Sequence, residues 1–186
     1  SSFRKDATLK IALACHMLNK PQQAKIWWDK AKNTGKDVAE PDALAAAMID
    51  EGGFPNDKLF KLKLFTEGGY FKEARTMLAA LNVTSFSTLK DQSEFLFRKG
   101  QFFEVTNDLR SAMALYPKVI EMAGNNPWYF GAASCLQLGN IYKNANDIKL
   151  AEKYFERVLS YRKQPYKSIY DMKAKAALAE LEKIKN

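Results

Sequence analysis

The sequence predicts an all-α chain of about four helical hairpins, on the strength of a repeated phrase, its matching flanks and their helical spacing. The phrase is TNDLRSA at Thr106–Ala112 and ANDIKLA at Ala145–Ala151: Asn-Asp, a branched apolar residue, two variable positions, then Ala. Its flanks recur in step, with Gly100 and Gly139, then Phe103 and Tyr142, upstream, and Tyr116 and Phe155, then Val119 and Val158, downstream. Within each copy the glycine and the aromatic three residues later share one helix face, and the alanine shares another with the residues four and seven positions on. Each copy therefore reads as two amphipathic helices. Between them the Asp stands just before the second helix, where its carboxylate can accept a hydrogen bond from the unpaired amides of the first turn. Gly and Ala are small where the two helices cross closely, and the aromatics fill the space beside the crossing.

From the N-terminus, the first hairpin (roughly 5–36) places Ala12 and Cys15 on its first helix and Ala24, Trp28 and Ala31 on its second. EPDALAAAMIDEGG at Glu40–Gly53 then reads as an inserted short helix, with Pro41 in its first turn and Gly52-Gly53 ending it. The second hairpin (55–88) has Leu62 where the crossing glycine stands elsewhere, followed by Gly69, Phe71, Ala74, Leu78 and Leu81. The third (93–126) and fourth (132–165) hold the repeated phrase. The repeat alanines stand at 24, 74, 112 and 151, so successive copies are 50, 38 and 39 residues apart, and the later surplus is expected in the loops NVTSFSTLKDQ and MAGNNPW. Pro165 breaks the chain before a Lys-rich helix at 166–185, whose Ala174, Ala177, Leu178, Leu181 and Ile184 share one face. This last helix is expected to cap the array, because a stack of hairpins otherwise leaves its final apolar face open. The whole of 1–186 is expected to form a single domain.

Gly-x-x-aromatic, an eight-residue gap, then Ala-x-x-x-aromatic-x-x-apolar resembles the tetratricopeptide repeat, whose standard period is roughly 34 residues. The combination of LFTEGGYFKEA, EFLFRKGQ, WYFGAASCLQLGNIY and YKSIYDMKAKAALAEL is further similar to the C-terminal part of tetratricopeptide proteins common in Bacteroidetes bacteria. The resemblance implies a right-handed α-solenoid, part of a longer protein, that binds a protein or peptide along a concave face formed by the first helices. In register, that face takes Leu9, Leu13, His16 and Met17, then Leu59, Lys63, Thr66 and Glu67, then Phe97, Gln101 and Glu104, and finally Leu136, Asn140 and Lys143. Leu9 and Leu13 have packing against a neighbouring helix as the competing role. Family members that grip acidic C-terminal peptides use a clamp of Lys, Asn and Arg, since charge-assisted donors hold a carboxylate well. Asn140 matches one such position and Arg98 or Lys10 offers a cation, but Leu9, Leu59, Phe97 and Leu136 occupy the positions of the expected Lys. That particular clamp is disfavoured.

Composition bounds the remaining classes. The chain of 186 residues is 47% apolar and 27% charged, as globular domains are, and no apolar run approaches the roughly 18 residues a membrane span needs. It begins at Ser1 with no leader pattern, which leaves cytoplasm and periplasm or cell envelope both open for a soluble chain. The formal charge of +8 raises nucleic acid as an alternative partner, with Trp27, Trp128 and Tyr129 near Arg98, Lys99 or Lys143 as stacking candidates. The lysines are interspersed with acids, however, which favours a solvated basic surface. No catalytic residue, cofactor or metal site is expected: there is a single histidine, His16, and no nucleophile elbow, phosphate loop or His-Glu-x-x-His. An accessory role beside an upstream enzyme domain is the other alternative. Cys15 and Cys135 lie far apart in sequence, without metal-ligand spacing, and are expected to be unbonded small apolar residues.

Overall fold

A computed structural model describes residues 3–35 and 39–185; the expected end of the first repeat at residue 36 lies outside them, as do residues 1, 2 and 186 at the ends of the expected domain. The described residues form ten α-helices and no strand. They are α1 (Arg4–Met17), α2 (Pro21–Lys32), α3 (Glu40–Glu51), α4 (Asp57–Glu67), α5 (Phe71–Ala80), α6 (Leu89–Val105), α7 (Leu109–Ala123), α8 (Phe130–Asn144), α9 (Ile148–Ser160) and α10 (Lys167–Lys185). The architecture is that of an α-solenoid of packed helical hairpins. The helices fall into two compact units, Ser1–Asp57 and Lys58–Asn186.

Every joint between paired helices has the same backbone. The amides of Lys20, Tyr70, Asp108 and Asp147 reach back to the carbonyls of Cys15, Phe65, Phe103 and Tyr142 at 2.8–2.9 Å, and the preceding residue bonds three back. That is the Schellman termination, which needs a left-handed residue at its centre. Asn19, Asn107 and Asn146 supply it at φ 54, 62 and 60°, and Gly69 at 77°. The repeated Asn-Asp thus divides two tasks. Asn turns the chain, and Asp opens the next helix: Asp108 accepts from the Ser111 amide at 3.1 Å and Asp147 from the Leu150 amide at 3.0 Å. Four residues past each joint, Ala24, Ala74, Ala112 and Ala151 are wholly buried.

In the first unit α1 and α2 pack as a hairpin and α3 lies against both. The fully buried Asp42 of α3 accepts from the amides of Phe3 (2.7 Å) and Asp6 (2.9 Å), so a carboxylate from another helix satisfies the start of α1. In the second unit one core cluster links Leu59, Leu62, Ala74 and Leu78 with Phe97, Tyr116, Phe130 and Leu138. The expected loop Asn82–Gln92 is shorter than predicted: after a 3-10 turn at Val83–Ser85, Thr88 accepts from the Asp91 amide at 3.0 Å and α6 begins at Leu89. The α7–α8 link likewise starts only at Gly124, where φ is 48°.

The crossing glycines sit directly under aromatic rings. A Cβ on Gly100 would stand 2.7 Å from Tyr116 Cε1, and one on Gly139 2.4 Å from Phe155 Cε1. In the second hairpin Leu62 stands where the glycine does elsewhere and Leu78 where the aromatic does, and both are buried in the same core cluster.

Candidate binding surface

In the second unit α6 packs on α8 and α8 on α10, so first helices lie side by side and α10 occupies the place that the next first helix would take. A face made of these helices is available, and its predicted residues divide by what surrounds them. Leu136 and Asn140 of α8 are half-buried on this row. Leu136 packs against both the large core cluster and the smaller one formed by Phe155, Ala177 and Leu181. Lys143 reaches across to Glu180 of α10 at 2.9 Å. The positive charge at this end of α8 is therefore spent on holding the closing helix.

Phe97 and Arg98 do not present their side chains. Phe97 is 2% exposed, its ring set against Tyr116, Tyr129 and Phe130 at centroid distances of 5.8–6.2 Å. Arg98 is equally enclosed, and its guanidinium donates twice to Glu94 Oε1 (2.9 and 3.1 Å), to Gln101 Oε1 (2.9 Å) and to the Tyr129 hydroxyl (2.6 Å). Burial works against this charge, but Tyr129 and Glu94 beside it hold the guanidinium pKa above its ordinary value. Burial also pushes the Tyr129 phenol well above its usual range, so at neutral pH the balancing charge is the Glu94 carboxylate. Gln101, half-buried, is fixed by Arg98 and forms the outer edge of this network.

Tyr129 lies against Phe130, Tyr166 and Tyr170, with ring centroids 4.4, 4.8 and 6.0 Å away. Its faces are taken by protein, which removes it from the stacking candidates. Trp128 packs against the same core, while Trp27 carries the Lys30 ammonium 4.4 Å from its ring centroid. On α6, Glu104 accepts from the Tyr116 hydroxyl at 2.5 Å; burial raises its pKa despite that bond, which acts to lower it.

The second hairpin contributes Lys63, half-buried and 3.9 Å from Glu67, while Leu59 and Thr66 are buried. In the first unit Leu9 and Leu13 are 4% and 7% exposed, which gives them a packing role. His16 is stacked on Phe54 (centroids 4.3 Å apart, 7° between planes) and shares a 2.6 Å hydrogen bond with Asp57. Met17 is half-buried. Sequence reasoning did not anticipate the partner of His16, because Phe54 and Asp57 follow the glycine pair outside any helical register.

Both cysteines are free, and burial pushes the Cys135 thiol up to about 12. Among the described residues no group of three His, Cys, Asp or Glu side chains is arranged to hold a metal, and no helix is long and apolar enough to cross a membrane.

Paired helices, a constant joint and a small-residue crossing define a helical-hairpin repeat protein. Residues 132–165 match the tetratricopeptide repeat family, a stretch that spans the α8/α9 hairpin and the joint at Asn146 and Asp147. Neither a curated protein nor a solved structure matches the chain.

Proposed function

We propose that this chain is a noncatalytic interaction module whose first-helix row in the second unit receives a segment of a protein partner. The observation that supports this reading most is the contrast along α8: its backing residues Ala132, Ala133 and Leu138 are buried, while Leu136 and Asn140 keep half-exposed side chains beside α6. The Asn140 side chain has no hydrogen bond to another described residue, so its amide is free to pair with the backbone of an extended or helical segment. Leu136 next to it offers apolar area, and Gln101 offers an amide held in place by Arg98. Rigid, partly apolar and without a strong charge, such a row suits a segment that is itself amphipathic rather than an acidic tail.

A photo-crosslinking residue at position 140 tests this in cells of the native host, with position 153 on the exposed side of α9 as control. The expected result is a discrete crosslinked partner from position 140 that is lost in Leu136→Glu. Crosslinks that arise from 153 and ignore Leu136→Glu would move the binding surface to the outer helices.

A further inference from the structure

A cleft of about 430 Å³ opens between the α7–α8 link and the α9–α10 link, away from the residues of the first-helix row. Arg157, Arg162 and Lys163 line it, and no acidic side chain does. None of these three cations pairs with a carboxylate among the described residues. The opposite wall holds Asn125 and Asn126, whose side-chain amides have no hydrogen bond to another described residue.

Gln164 adds an independent sign. It is 5% exposed and lines the cleft. Its side-chain oxygen accepts the Tyr166 amide at 2.8 Å, which fixes the amide orientation, because only oxygen can accept there. The Nε2 end is left buried with no acceptor. A buried donor without a partner is costly in a folded chain and calls for an acceptor. The Tyr161 ring passes where Gly131 has no side chain, 2.7 Å from where a Cβ would stand.

Cations and amide donors that line one cleft without an acid describe an oxyanion site. We propose that this cleft binds a small phosphomonoester, its phosphate held by Arg157, Arg162, Lys163 and the amides of Asn125 and Asn126, and its organic part set against Ile120 and Tyr161. Three cations suit a dianion better than a singly charged carboxylate, and oxygens arranged tetrahedrally can meet donors from both links. The cleft exceeds what a bare phosphate fills, which leaves room for the organic part.

Calorimetric titration of the whole chain at low salt with inorganic phosphate, phenyl phosphate and benzoate tests the assignment. Phenyl phosphate should bind more tightly than inorganic phosphate, and benzoate at least about tenfold more weakly than phenyl phosphate. Arg162→Gln combined with Lys163→Gln, both exposed, should weaken phenyl phosphate at least about tenfold while leaving the melting temperature unchanged; Arg157→Gln should weaken it as well. The proposal is overturned if phenyl phosphate does not bind, if inorganic phosphate or benzoate equals it, or if the double variant binds it as well as the native chain.

Discussion

Adding one methyl group at Gly139 tests the register of the repeat at its tightest point. In Gly139→Ala the new Cβ would lie 2.4, 2.6 and 2.9 Å from Cε1, Cδ1 and Cζ of Phe155. Carbon atoms rest about 3.5–4.0 Å apart, so the ring must retreat by about 1 Å. Phe155 is wholly buried and belongs to the small cluster of Ala151, Ala177 and Leu181, which gives it nowhere to retreat without pushing α9 or α10. Overpacking of this kind costs about 1–3 kcal/mol, and each kcal/mol lowers the melting temperature by roughly 2–4 °C in a chain of this size. Differential scanning calorimetry should therefore show a fall of several degrees. Phe155→Leu alone should also destabilise, since it leaves a void. Combined with Gly139→Ala it should cost less than the two changes added together, because the smaller side chain vacates the space the methyl needs. An unchanged melting temperature in Gly139→Ala, or strict additivity in the double variant, would refute the assigned crossing.

The other predictions concern the joint, the buried ion pair and one carboxyl group. Asn146→Ala should cost about 1–2 kcal/mol in chemical denaturation, because alanine resists the left-handed backbone at φ 60°, whereas Asn146→Gly should be nearly neutral. Arg98→Met should cost about 3–5 kcal/mol by stranding Glu94, and adding Glu94→Leu should recover part of the loss, read by the same denaturation curves. Glu104 has a folded pKa raised above its usual value near 4.5, so the folded state favours its protonated form; stability should fall as pH rises through that window and reach its lower plateau above the folded pKa. Glu104→Gln, which keeps an acceptor for Tyr116, should remove this slope in melting temperature against pH, and a slope that persisted would place its origin elsewhere.

What could be read from the sequence was the part governed by neighbours along the chain. Hairpin order, the crossing of Gly100 and Gly139 under their aromatics, the inserted helix and the capping helix follow from periodicity and from turn and cap chemistry, which act over a few residues. Even there, the left-handed role of Asn107 and Asn146 was missed, although Gly69 at the equivalent place in the second hairpin was its sign in the sequence. Tertiary packing decided the rest. Asp42 completes α1 across an interval of 36 residues, a bond no local pattern announces. Phe97 and Arg98 fall on a helix face whose fate depends on what arrives beside it. Tyr129 and Phe130 begin α8 there, the rings close over Phe97, and the tyrosine hydroxyl takes the guanidinium. Burial is a property of the assembled neighbours, which register along one helix does not contain. For the same reason the cleft between the α7–α8 and α9–α10 links was invisible beforehand: Asn125 and Arg162 meet only once two separate hairpins have stacked.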